Sequence, residues 1–122
     1  MVGHTLAPEA SLTRIAAEID MALTWLDAHG PAHGFSGARL LAGWSAGGTL
    51  TGLCLAHRAV TAGLAISGVC ELGPLRDTRF NTALQLTDQE VATLSPFACR
   101  HVESPWPLPM AAGNYPRSAM TA

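Results

Sequence analysis

From residue 11 to residue 29, apolar side chains recur at helical spacing: Leu12, Ile15, Ile19, Leu23 and Leu26, with Ala16 and Ala22 filling the same face. Arg14, Glu18 and Asp27 take the opposite side, so the pattern predicts an amphipathic helix that covers a core. Ser11 stands where an N-cap belongs. Gly30-Pro31 predicts the end, a residue free to turn left-handed followed by one that cannot continue a helix. Past a Gly-rich turn at 33–37 the period changes. Residues 38–43 form a short continuous apolar run, which suits a parallel strand covered on both faces. Residues 46 to about 58 return to helical composition through Leu50, Leu53, Cys54 and Ala56, and 63–69 is a second apolar run. Thr87-Asp88-Gln89-Glu90 spells a capping box that opens a short helix stopped at Ser95-Pro96. A last apolar segment, 108–112, predicts a third strand that begins after Pro107 and Pro109.

Helices and strands thus alternate, which predicts a single α/β domain over residues 1–122 with parallel strands joined by crossover helices. Composition narrows its setting. The chain is 48% apolar and 13% charged, where about 25% charged is usual, so disorder is excluded. Its formal net charge is -2, and every basic residue is an arginine. A mildly acidic chain without a basic run has no electrostatic footprint for nucleic acid or an anionic membrane. No apolar stretch approaches the roughly 18 residues of a membrane span, and Met1-Val2-Gly3-His4 lacks the features of a signal peptide, so a cytoplasmic protein is expected. Cys54, Cys70 and Cys99 lack metal-like spacing and read as reduced thiols, with Cys54 and Cys70 in the core.

The chemistry concentrates in Gly43-Trp44-Ser45-Ala46-Gly47, a G-x-S-x-G between a predicted strand and a predicted helix. In such a turn the serine is lifted above the carboxyl edge of the sheet, and Gly43 and Gly47 relieve crowding on either side. The helix after Ser45 aims free N–H groups and a positive dipole end at the place where an acyl-transfer oxyanion develops, with the Ala46 N–H as its donor. From 12 glycines and the chain's serines, about 0.07 chance matches are expected, so the strand-before, helix-after context carries the reading. A bystander serine in a Gly-rich turn is the plain alternative. A phosphate-cradling loop is a weaker one, since G-x-G-x-x-G is not met and a P-loop needs the lysine that this chain lacks. Trp44 either lines a substrate pocket or packs against the sheet.

Gly43 to Gly48 (GWSAGG), Ile66-Ser67-Gly68-Val69, Glu71-Leu72-Gly73-Pro74-Leu75 and the run from Asn81 through Leu86 to Leu94-Ser95-Pro96 resemble the α/β-hydrolases. Within them the chain is similar to the kynurenine formamidase (arylformamidase) and small-esterase branch, whose segment before the helix that precedes the nucleophile strand resembles Leu6-Ala7-Pro8-Glu9. The resemblance implies a partial, three-layer α/β-hydrolase fold with an incomplete sheet. It also implies a Ser-His-acid triad that cleaves a small aryl formamide or ester through an acyl-enzyme on Ser45. No metal or organic cofactor is implied. Only the nucleophile carries over. Gly3-His4 is not the family's His-Gly-Gly loop, and 113–117 lacks the expected carboxylate, so the chain reads as the middle of a hydrolase, poorly active alone.

Five histidines are available by type as substitutes for the missing base. His29 and His33 fall at the amino end of the strand, and His57 near the far end of the helix that follows Ser45. His101 with Glu103 is the least implausible pair, and His4 reads as a strand or loop residue. Trp106 reads as a loop anchor, and the Arg76-Asp77-Arg79 cluster as a solvated helix face. A second reading belongs to another class: an inactive remnant that serves as an interaction module. Its few parallel strands would expose apolar edges and favour self-association.

Overall fold

The computed structural model describes residues 1–96. The strand expected at 108–112, together with Cys99, the His101–Glu103 pair, Trp106 and 113–117, lies outside the described residues. Helix α1 spans Leu12–His29, strand β1 Leu40–Trp44, helix α2 Ala46–Cys54 and strand β2 Ala62–Ile66. A 3-10 turn at Gly73–Asp77 then leads to α3 (Asn81–Leu84) and α4 (Asp88–Leu94). The class is mixed α/β.

Helix α1 forms as its pattern predicts. The Ser11 side chain accepts from the Arg14 N–H at its start, and Leu12, Ile15, Ile19 and Leu23 are buried along one stripe. Its end differs from expectation. Gly30 is right-handed (φ -49°) and leads into a 3-10 turn over Gly30–His33, and the left-handed residue that reverses the chain is Gly34 (φ 84°). Proline at the first turn of a new helix loses no bond there, so Pro31 continues the path instead of ending it. Of the side expected to meet water, two carboxylates are engaged. Asp27 takes Arg39 at 2.8 Å and Arg58 at 2.6 Å, which ties α1 to the start of β1 and to the loop after α2. Glu18 accepts from the N–H and hydroxyl of Thr5.

The strands pair in parallel, Leu40 opposite Ala62 through Trp44 opposite Ile66, with α2 as the crossover between them. Helix α2 covers the face that carries Leu41 and Gly43, and α1 packs in turn on α2 and α4. The core is Leu12, Ile15, Ile19 and Leu23 of α1 against Leu50 and Cys54 of α2, closed by Leu72 and Leu86. The expectation that both faces of the strands are covered fails among the described residues. Leu40 (65% exposed), Trp44 (74%), Leu64 (50%) and Ile66 (47%) share the outward face. Trp44 therefore does not pack against the sheet within residues 1–96. The second apolar run also ends earlier than expected, because Ser67 turns to positive φ. Helix α2 likewise stops at Cys54, where the chain enters turns closed by the His57 and Val60 N–H groups.

The predicted capping box is present. Thr87 Oγ1 accepts from the Glu90 N–H, while Glu90 accepts from the Thr87 N–H. Thr87→Ala is expected to lower the unfolding free energy by about 1 kcal/mol, read as the urea midpoint at unchanged slope. An unchanged midpoint would show that the cap contributes nothing. Glu90 does more than cap, since it also accepts from the N–H and hydroxyl of Thr13 at 3.0 and 2.8 Å, joining α4 to α1. Its burial disfavours the charge, yet these bonds to Thr13 and Thr87 outweigh that and hold the carboxyl below its ordinary value. A folded-state pKa lowered in this way contributes stability above the unfolded value, lost as pH falls through the folded one. Thermal midpoints should therefore be level above about pH 5 and fall below it, with a shallower fall in Glu90→Gln. An equal fall in the variant would remove Glu90 as a source of acid sensitivity.

Candidate functional site

The site grows out of the β1–α2 junction. Ser45 adopts φ 55° and ψ -119°, a conformation that a residue with a Cβ reaches only at a cost of about 1–3 kcal/mol. Two backbone bonds hold it there. Its N–H donates to the Ile66 carbonyl at 2.8 Å, and its carbonyl accepts from the Thr49 N–H at 3.1 Å. Its side chain makes no cap bond to α2, and the residue is exposed, as is Ala46 after it. The hydroxyl makes no hydrogen bond among the described residues; it stands at the carboxyl end of β1, directly before the first turn of a nine-residue helix whose leading N–H groups have no intrahelical acceptor.

The glycines of the motif play unequal parts. A Cβ on Gly43 would lie 2.1 Å from the Gly47 carbonyl oxygen and 2.7 Å from Thr51 Oγ1, so α2 folds back directly over that position. A Cβ on Gly47 would meet nothing within 4 Å, and the expectation that Gly47 relieves crowding is corrected. What the junction needs at Gly47 is its backbone, on which Gly43 abuts. The second crowded position was not anticipated. Gly48 and Gly68 press together: a Cβ on Gly48 would sit 2.9 Å from the Ile66 oxygen, and one on Gly68 would sit 2.6 Å from the Gly48 carbonyl carbon. Thr49 Oγ1 accepts from the Val69 N–H at 2.9 Å and fixes the same approach. The paired signals are the Gly47-Gly48 doublet after one strand and Ser67-Gly68 after the next.

The described histidines are occupied elsewhere. His57 Nδ1 accepts from the Ala59 N–H at 3.0 Å, which leaves Nε2 facing Thr24 Oγ1 at 3.1 Å and Asp20 at 3.8 Å on α1. His29 and His33 stack on Trp25, and His4 bonds to the Thr5 carbonyl. Cys54 is buried, and that burial raises its thiol pKa, so it is an inert core thiol. Cys70 is exposed, contrary to its expected place in the core, because it follows the β2 edge where the chain has left the packed face. Arg76 pairs with Asp88 on the surface, in keeping with a solvated cluster. A cleft of about 450 Å³ opens between the start of α1 and α4, lined by Ser11, Thr13, Thr87 and Glu90, and does not include Ser45. Among the described residues no group of three metal-ligating side chains is assembled, and no helix is long and apolar enough to cross a membrane.

A solved structure described as a putative thioesterase, from Silicibacter sp. TM1040, is similar to this chain with a TM-score of 0.67. The two are 28% identical over 80% of this chain and 38% of that one. This chain therefore spans about 38% of the length of the structure it matches. No protein-family model matches the chain, and no curated protein does. The finding overturns the resemblance to α/β-hydrolases of the kynurenine formamidase and small-esterase branch, since the similarity leads to a thioesterase. With it fall the aryl formamide and carboxylic ester as substrates. Two of the runs that carried the resemblance build the junction. GWSAGG and ISGV meet at the Gly48–Gly68 contact, and local backbone demands of this kind fix residues without fixing a substrate.

Proposed function

We propose that this chain carries the nucleophile-bearing part of a thioesterase-type hydrolase, with Ser45 as the residue acylated. The observation that carries the reading is the Ser45 backbone: a strained, exposed serine at a strand–helix junction, its hydroxyl without a hydrogen bond among the described residues. Strain of this kind persists where the surrounding structure over-determines it, and it collects at reacting centres. The 28% identical structure described as a putative thioesterase supports the reaction class. In the reaction, Ser45 Oγ forms a bond to the acyl carbonyl carbon as the carbon–sulfur bond breaks. The hydroxyl proton passes to a base, and the sulfur departs with the bonding pair as a thiolate, which then takes up a proton. Water then cleaves the serine ester, releasing the carboxylic acid and restoring the hydroxyl. The Ala46 N–H, free at the head of α2, is the donor assigned to the oxyanion. A thiol of pKa about 8.5 leaves readily as thiolate, so the first half-reaction leans on the nucleophile and the oxyanion donors more than on an acid.

The test uses butanoyl and decanoyl thioesters of N-acetylcysteamine with thiol release as readout, alongside a fluorophosphonate probe located by peptide mass spectrometry. Thiol release together with a probe adduct on the Ser45 peptide is the expected result. Adduct on another serine, or no thiol release from either thioester, would overturn the assignment.

A further inference from the structure

Ser67 shares the peculiarities of Ser45. It follows β2 as Ser45 follows β1, and since Trp44 pairs with Ile66, the two serines occupy the next register position on the same carboxyl edge. Neighbouring strands lie about 4.8 Å apart in this direction, so the edge presents two hydroxyl-bearing residues side by side. Ser67 also has positive φ, 53° against 55° for Ser45. It is exposed, and its hydroxyl makes no hydrogen bond among the described residues. The junction does not demand a serine there for its own packing. The crowding that needs a missing Cβ falls on Gly68, and the bond that fixes the segment runs from the Val69 N–H to Thr49. Glycine at 67 would meet the same backbone path without strain. A serine held there at a cost, with a free hydroxyl beside the nucleophile, answers to a ligand.

We infer that Ser67 is a substrate-binding residue of the same site, its hydroxyl hydrogen-bonding the acyl thioester presented to Ser45. This rests on the Ser45 reading above. Two variants separate the hydroxyl from the backbone. Ser67→Ala removes the hydroxyl and keeps the strained Cβ, whereas Ser67→Gly removes both. The inference expects both to lower kcat/KM for the butanoyl thioester by about 3- to 10-fold, the yield of one hydrogen bond. Only Ser67→Gly should raise the thermal midpoint, by a few degrees. Activity then follows the hydroxyl while stability follows the Cβ. Wild-type kcat/KM in both variants, or a loss in Ser67→Ala that Ser67→Gly restores, would overturn it and leave a backbone role alone. Ser45→Ala run in parallel keeps the two readings apart: full thiol release in that variant overturns the nucleophile assignment and this inference with it.

Discussion

Replacing Ser45 by alanine is expected to lower kcat/KM for thioester hydrolysis by about 10⁴-fold or more while leaving the fold intact. The size follows from the role. A residue that forms the covalent intermediate has no substitute within the site, and what remains is catalysis by the oxyanion donors and by binding. The fold survives because the structural work at this position is done by the backbone. The N–H to Ile66 and the carbonyl to Thr49 are both present in alanine, and the serine hydroxyl caps nothing. Ser45→Gly sharpens the test. It relieves φ 55° and is expected to unfold at a higher temperature than wild type while being equally inactive. Thiol release within about threefold of wild type in Ser45→Ala would sink the assignment. So would a large loss of stability in that variant, since activity could then be lost through unfolding alone.

The main helices and strands of the first 96 residues were legible because each is specified locally, whereas the short α3 and the 3-10 turns, which carry no such pattern, were not. The α1 stripe, its Ser11 cap and the Thr87–Glu90 box are patterns within a single turn or a single face, and they recur in the structure at the same residues. What could not be read is what depends on residues distant in sequence. Glu90 is a cap by its spacing to Thr87, but its bonds to Thr13 join residues 77 positions apart. The strands were expected to be covered on both faces because their apolar runs are continuous. Covering is a property of neighbours, though, and Leu40, Trp44, Leu64 and Ile66 meet none among the described residues. The site follows the same division. Ser45 was found from a five-residue motif, whereas Ser67 lies 22 positions away and joins the same edge only through the strand register. The substrate was the least legible feature. Two of the runs that resembled a formamidase, GWSAGG and ISGV, build a junction, and a junction serves any acyl group.

The junction itself provides the second large effect. Gly43→Ala is expected to destabilise the fold strongly, whereas Gly47→Ala, four residues on and equivalent in the motif, is expected to fold as well as wild type or better. At Gly43 the added methyl would lie 2.1 Å from the Gly47 carbonyl oxygen and 2.3 Å from its carbonyl carbon. These are backbone atoms of the turn that begins α2, so relief requires moving the helix and not rotating a side chain. Moving α2 draws Leu50 and Cys54 out of the core and shifts the Ser45 N–H away from Ile66. Overpacking of a close-packed site typically costs about 1–3 kcal/mol, and a contact with helix backbone belongs at or beyond the upper end. In a domain with about 5–15 kcal/mol in hand, that is a large share. At Gly47 the methyl enters open space inside a helix, where alanine is favoured over glycine by up to about 1 kcal/mol. Soluble yield and thermal midpoint of the two variants read the difference directly. If Gly43→Ala melts within two or three degrees of wild type, α2 does not lie against Gly43 and the strained geometry assigned to Ser45 is wrong. If instead Gly47→Ala is the variant that fails, the two glycines have exchanged roles and the turn runs on the other side of the strand.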